Sequence, residues 1–211
     1  MKQFIYIIFS LLISKQLYAQ TNLIVEYNEL YGVISFEKQK RINDFNRKEY
    51  LYTNGDSVAF FSFGLQKPDK KNNTIGSKKD HHSLFIFPKL KRVLHENQWV
   101  KPYNLQEFPF PEYEWNYHSD TMLIAGYVCN VAVADGIVAW YATAIKAPFG
   151  PLNFYGLPGV ILMLEDHRNK RLYKATSVKQ HDNQIILPNL TMKGCKNCES
   201  KLQEIKKYFN P

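Results

Sequence analysis

The sequence lacks the short motifs that identify many enzymes. It has no Gly-x-Ser-x-Gly nucleophile elbow, no His-Glu-x-x-His zinc pair and no glycine-rich loop that would cradle a phosphate. Its six histidines do not cluster convincingly, and the adjacent His81 and His82 would point to opposite faces of a strand. Glu165 and Asp166 form a carboxylate pair without a partner base. No reaction is predicted, and a non-catalytic protein without a cofactor is favoured.

The sequence has no dense stripe of one charge sign, although five lysines fall within residues 67–79 and two more lie at 206–207. Lysine and arginine number 27 against 19 acidic residues, a formal net charge of +8. Lys2 and Lys15 lie in the first 19 residues, which contain no acids, so the remainder carries 27 − 2 = 25 basic residues against 19 acidic ones, or +6. These charges are interspersed, which is typical of a solvated, mildly basic surface. Without a dense basic stripe or a recognition motif, we expect no nucleic-acid partner.

Long apolar runs are missing after the N-terminus. Lys2 precedes an apolar run over residues 4–13, and Leu17-Tyr18-Ala19 ends in a small residue. This pattern predicts a signal peptide over residues 1–19 that is cleaved after Ala19. No later stretch reaches the roughly 20 apolar residues of a membrane helix, and the residue directly after the cleavage point is Gln20 rather than a cysteine. We therefore expect a periplasmic or secreted protein without a membrane span or a lipid anchor.

Helical periodicity is scarce. Only residues 198–209 place apolar side chains on one face at helical spacing, which predicts a short C-terminal helix. Elsewhere the apolar residues alternate, as at Leu23, Val25 and Tyr27, or form short runs between turn residues. This pattern predicts a mainly β, single-domain protein over residues 20–211, built as a curved antiparallel sheet that resembles a half-barrel. A closed barrel is the alternative. The expected strands include residues 50–52, 58–63, 84–87, 92–95, 99–103, 122–125, 127–133, 137–145, 160–164 and 172–178, with an extended link over 108–111.

The chain is organised around residues 140–166. Two apolar strands flank a connection that contains three prolines and three glycines. Because proline restricts φ and glycine permits positive φ, this connection should adopt one specific shape. The residues expected to shape it are Gly150, Pro151, Gly156, Leu157, Pro158 and Gly159.

Aromatic residues are abundant in and before this connection. Their simplest role is to fill the core; the alternative is that they line the concave face of a half-barrel and hold an apolar ligand or peptide. The candidate ligand-binding residues are Trp115, Tyr127, Trp140, Phe149, Phe154 and Tyr155.

Several of these segments together resemble a known family. The hexapeptide Gly156-Leu157-Pro158-Gly159-Val160-Ile161 is similar to the motif of the GLPGLI family of small exported Gram-negative envelope proteins. Matching segments precede it: Gly150-Pro151, Ala139-Trp140-Tyr141, Gly126-Tyr127-Val128-Cys129 and Trp115. The chain departs from the pattern at Val160, where leucine is usual, and over residues 145–148, where Ile-Pro is usual. The resemblance covers roughly the middle third of the chain and implies export and fold rather than a reaction.

Three cysteines carry the most specific chemistry. Cys195 and Cys198 are separated by two residues, so they could form a local disulfide, half of a soft-metal site or a redox pair. Met192 adds a thioether that suits Cu(I). An oxidising compartment favours the disulfide. Cys129 lies on an apolar strand, where a small buried side chain is expected; the alternative is that it pairs with Cys195 or Cys198.

The function expected from these patterns is non-catalytic. The protein would hold an apolar small molecule, a lipid, a peptide or another envelope protein on a concave β-sheet. The alternative is an envelope protein that handles soft metals or performs redox chemistry through Met192, Cys195 and Cys198.

Overall fold

The fold is a large antiparallel sheet. The structure, a computed structural model, describes residues 22–31, 47–55, 59–63, 74–75, 83–97, 104–181 and 184–185. Eleven strands form one sheet in the order β7-β6-β5-β3-β2-β1-β12-β11-β10-β9-β8, and β4 and β13 form a separate parallel pair. The strands are β1 (Asn22–Tyr31), β2 (Arg47–Asn54), β3 (Ala59–Phe63), β4 (Thr74–Ile75), β5 (Ser83–Phe87), β6 (Arg92–Asn97), β7 (Asn104–Pro109), β8 (Asn116–Ile124), β9 (Tyr127–Ala134), β10 (Ile137–Ala142), β11 (Val160–Asp166), β12 (Arg171–Gln180) and β13 (Gln184–Ile185).

The predicted fold class is confirmed. Every neighbouring pair in the large sheet is antiparallel, and the sheet is open rather than closed, with β7 and β8 at its edges. Within the ranges given above, helical structure is limited to a single 3-10 turn at Pro88–Leu90. The predicted C-terminal helix lies outside the described residues, as does the predicted strand at 99–103.

Chain connectivity requires the large sheet to curve. Ten spacings of about 4.8 Å would separate the edges of a flat eleven-stranded sheet by about 48 Å. Only residues 110–115 connect β7 to β8, and seven extended Cα–Cα steps span at most about 24 Å. We call residues 110–115 the strap, because they cross from one edge of the sheet to the other.

The first strand shows why alternation predicts burial. Leu23, Val25 and Tyr27 are buried, whereas the intervening Ile24 and Glu26 are half-buried. On the next strands the core is built from Leu51 of β2, Phe61 of β3 and Tyr173 of β12. The Phe61 ring lies 6.5 Å from Tyr27 and 6.3 Å from Tyr173, both within the range of favourable aromatic contacts. The core face of the sheet is therefore packed by its own side chains.

Strand β11 is buried at every position. Its ladder with β12 covers residues 163–166, and beyond the end of that ladder the hydroxyl of Tyr27 donates a hydrogen bond of 2.6 Å to the carbonyl of Ile161. Burial raises the pKa of Tyr27 well above its ordinary value, with a smaller contribution from the nearby Cys129. The hydroxyl therefore stays protonated and can keep donating this bond.

The connection from β10 to β11, which we call the proline–glycine loop (residues 143–159), folds back onto the strands it joins. The amide of Ile161 donates to the carbonyl of Phe149 at 2.9 Å, and the amide of Val160 donates to the carbonyl of Ile145 at 3.2 Å. Strand β10 ends at Ala142 rather than at the predicted Ile145, because the Ile145 amide turns back to bond the Ala142 carbonyl at 3.1 Å. The loop is thus pinned to both neighbouring strands by backbone hydrogen bonds.

Candidate functional site

Two glycines give the proline–glycine loop its shape for different physical reasons. Gly156 has φ +98°, which strains any residue with a Cβ, although the space around it is open apart from Trp115. Gly159 does not have a positive φ, but a Cβ there would overlap the backbone carbonyl of Ala142. Glycine fits both positions. Positive φ, however, explains only Gly156.

The other loop-shaping residues divide between core and surface. Gly150 lies against the side chain of Ile161, where a Cβ would come within 2.7 Å of Cδ1. Pro151 and Leu157 are buried, and Pro158 is exposed. The loop therefore buries some of these residues in the core and leaves others in solvent.

Four of the six predicted ligand-binding residues come together where the loop meets the strap. Trp115 belongs to the strap, whereas Phe149, Phe154 and Tyr155 belong to the loop. The Trp115 indole N–H donates a hydrogen bond of 3.1 Å to the carbonyl of Tyr155. The tertiary structure thus brings together aromatic residues that are up to 40 positions apart.

Aromatic rings join the two segments. Within the strap, the Tyr113 ring lies 5.3 Å from that of Trp115; across to the loop, it stacks on Phe154 at 5.1 Å. The Phe110 ring meets Tyr155 edge-on at 5.0 Å, and Tyr155 in turn lies 5.6 Å from Phe149. These distances fall within the range in which ring pairs attract beyond their buried area. The strap is held on the loop by two groups of ring contacts and one hydrogen bond.

A groove of about 330 Å³ lies between the strap, the loop and the turn that joins β5 to β6. Its volume is near the lower end of the range for small-ligand sites. We call it the aromatic–proline groove. Its lining residues are Pro88, Lys91, Phe110, Pro111, Glu112, Tyr113, Tyr155 and Gly156.

The charges of the groove are confined to one exposed ion pair. Lys91 Nζ lies 3.0 Å from Glu112 Oε1, and the two side chains are 74% and 77% exposed. Burial raises the pKa of Tyr113 to about 12, and Arg168 offsets part of this rise. Tyr113 is therefore a neutral hydroxyl at physiological pH.

The structure assigns different positions to the predicted candidates. Tyr155 lines the groove, whereas Phe149 and Phe154 are buried beneath it and act as supports. Tyr127 opens β9 and Trp140 lies on β10, and neither lines the groove. The Trp140 indole nitrogen is buried and has no hydrogen-bond partner in the part of the chain that the structure describes.

Sequence reasoning missed most of the groove walls. The sequence pattern predicts only an extended link at Phe110 and Pro111, and it does not single out Lys91, Glu112 or Tyr113. The alternation of aromatic and proline residues over positions 108–111 was the available signal. It could not identify the segment across which the link would lie.

The carboxylates that follow the loop have structural partners. Asp166 accepts hydrogen bonds from the amides of Arg168 at 3.1 Å and Asn169 at 3.0 Å, and from the Asn169 side chain at 2.7 Å. These contacts close the turn between β11 and β12. Glu165 lies 3.3 Å from His167 Nε2. Asp166 therefore has a structural role that accounts for its burial.

Cys129 is a free, buried thiol, as its apolar strand predicted. Burial raises its pKa to about 11, so the unreactive thiol form predominates at neutral pH. Met192, Cys195 and Cys198 lie outside the described residues. Among the residues that are described, no group of three or more His, Cys, Asp and Glu side chains could hold a metal ion.

Comparison with known proteins adds no family assignment. No family model matches the chain, and no curated protein matches it. The resemblance to the GLPGLI family therefore stays a prediction from the sequence. In the described ranges, no helix is both long enough and apolar enough to cross a membrane.

Proposed function

We propose that the protein is a non-catalytic binding or accessory protein that holds an apolar ligand or peptide. The sequence suggested the concave face of the sheet as the binding surface. Because Tyr27, Phe61 and Tyr173 pack that core face, we assign binding instead to the aromatic–proline groove. The observation that carries the proposal is the convergence of Phe110, Tyr113 and Tyr155 with two prolines around one groove.

Location is part of the proposal. The basic residue, apolar run and small residue before position 20 favour export to the periplasm or beyond, and the GLPGLI-like segment agrees with an envelope protein. N-terminal sequencing of the envelope fraction tests this point. We expect a mature chain that starts at Gln20, and an intact Met1 in that fraction would contradict export with cleavage.

Nile red, an uncharged dye that fluoresces in apolar surroundings, tests binding at the groove. Tyr155→Ala should weaken dye binding by about tenfold, since a tyrosine at the centre of a site commonly contributes more than 1 kcal/mol. Tyr117→Ala is the matched control, because Tyr117 is 59% exposed and lies on β8 outside the groove. Equal dye binding by the two folded variants and the wild type would reject the groove as the site.

A second function rests on the sequence alone. Met192, Cys195 and Cys198 form a possible soft-metal or redox group, which Cu(I) titration of the reduced protein against a competing chelator would reveal. We expect no tight site, because an oxidising compartment favours a disulfide between the two cysteines. Stoichiometric binding that is lost when both cysteines become serine would favour this second function over the first.

A further inference from the structure

We propose that the aromatic–proline groove binds an uncharged, proline-rich peptide segment in the polyproline II conformation. This inference rests on the proposed function and specifies the class of ligand. Polyproline II helices have no internal hydrogen bonds and present flat proline rings, and aromatic-lined grooves are the surfaces that recognise them. Phe110, Tyr113 and Tyr155 supply three such rings within one groove.

Four backbone groups of the groove cannot take part in strand addition. Pro88 and Pro111 have no amide hydrogen to offer a peptide. The Gly156 amide already donates to the carbonyl of Pro148 at 3.1 Å, and the Tyr155 carbonyl already accepts from Trp115 at 3.1 Å. A peptide that pairs as a strand needs a row of available donors and acceptors, whereas a polyproline II segment binds through its rings.

The charge of the groove favours an uncharged segment. Lys91 and Glu112 neutralise each other across 3.0 Å, and the remaining lining residues are aromatic, proline or glycine. A charged peptide would have to compete with this ion pair. An uncharged proline-rich segment leaves the pair in place, and its carbonyls can accept hydrogen bonds from the remaining N–H groups of the lysine ammonium.

The test uses the purified mature protein and an acetylated, amidated proline peptide of about ten residues, long enough to form a few turns at three residues per turn. Binding is followed by tryptophan fluorescence and by calorimetry. A glycine–serine peptide of the same length is the control ligand, because it lacks both the rings and the stiff conformation. Nile red binding is measured on the same samples. We expect the proline peptide to bind, to compete with Nile red, and to exceed the control peptide in affinity by at least about tenfold.

Two phenylalanines two positions apart supply matched variants. Phe110 lines the groove, whereas Phe108 lies on β7, is 43% exposed and contacts His95 instead. Phe110→Ala should weaken binding of the proline peptide by about tenfold, as expected for an aromatic residue central to a site, whereas Phe108→Ala should leave it unchanged. Circular dichroism confirms that each variant is folded. If Phe110→Ala does not fold, Pro111→Ala takes its place, with an expected loss of several-fold.

The outcomes distinguish a failure of the polyproline assignment from a failure of the proposed binding function. If Nile red binds in a Tyr155-dependent way but the proline peptide binds no better than the control peptide, the proposed function stands and the polyproline assignment is wrong. Equal losses for Phe108→Ala and Phe110→Ala would also overturn the assignment, since binding would then not depend on the groove. If neither the dye nor the peptide binds, both proposals fail.

Discussion

The proline–glycine loop and the strap are both rich in proline and aromatic residues, yet they are held in place differently. The loop is bonded through its backbone to β10 and β11, and its glycines sit where a side chain would overlap a neighbour or strain the backbone. In the strap, Phe110, Pro111, Tyr113 and Trp115 are half-buried, whereas Glu112 and Glu114 are exposed. It is fastened by rings, one indole hydrogen bond and one surface ion pair.

The difference shows how two segments of similar composition can differ in how easily their conformation changes. A segment fixed by backbone contacts can change shape only by breaking hydrogen bonds or creating overlaps, which costs several interactions at once. A segment fixed by side chains can lose one contact and keep the others. We therefore expect substitutions in the loop to cost more stability than substitutions in the strap.

The largest expected effect is at Gly159 of the loop. Gly159→Ala should lower the free energy of unfolding by about 3 kcal/mol or more, because the added methyl overlaps a backbone carbonyl that cannot move without shifting β10. Chemical denaturation followed by circular dichroism measures the change. A loss below about 1 kcal/mol would show that the close approach of the loop to Ala142 is not a constraint.

Substitutions at Gly156 measure backbone strain without a steric overlap. Gly156→Val should cost about 1–3 kcal/mol, because a β-branched residue is strained at φ +98° even though the surrounding space is open. Gly156→Ala should cost less, since alanine is not β-branched. Thermal unfolding of both variants then separates two costs: the positive φ, which both variants carry, and β-branching, which only the valine variant carries. Unchanged stability in both would contradict a required positive φ.

Trp115 tests the contact that joins the two segments. Trp115→Phe keeps an aromatic ring but removes the indole donor, so the carbonyl of Tyr155 loses its 3.1 Å hydrogen bond and stability should fall by about 1–2 kcal/mol. Tyr117→Phe is a control, because it removes a hydroxyl from an exposed aromatic residue two positions away. If both substitutions have the same effect, this hydrogen bond does not hold the strap.

The smallest effect is expected at the ion pair between Lys91 and Glu112. A double-mutant cycle with Lys91→Ala and Glu112→Ala should give a coupling energy below about 1 kcal/mol that decreases as salt is added, because both side chains are mostly exposed. A larger, salt-independent coupling would mean that the strap is fastened by charge rather than by rings.

Local patterns in the sequence predicted most of the strands. Alternation at Leu23, Val25 and Tyr27 identified β1, and Asn54-Gly55 identified the hairpin between β2 and β3, where Gly55 has φ +61°. The apolar run over residues 160–164 identified β11. These features depend on side-chain periodicity and turn chemistry, which act between neighbours in the chain and are therefore readable without a structure.

Other features were outside the reach of local patterns. The sequence could not show that Phe149 and Phe154 would be buried while Tyr155 lines a groove, since all three are aromatic residues of one loop. Nor could it show that Lys91 would meet Glu112, because their proximity depends on the register between β6 and β7, which places Arg92 opposite Pro109.

The sequence by itself determined the mainly β character and the burial of Cys129, because each follows from local conformational preference or from hydrophobicity. Only the tertiary structure decided where the site lies. An eleven-stranded sheet whose two edges are joined by six residues has to curve, and that curvature brings the strap onto the loop. The aromatic–proline groove exists because of this long-range geometric constraint.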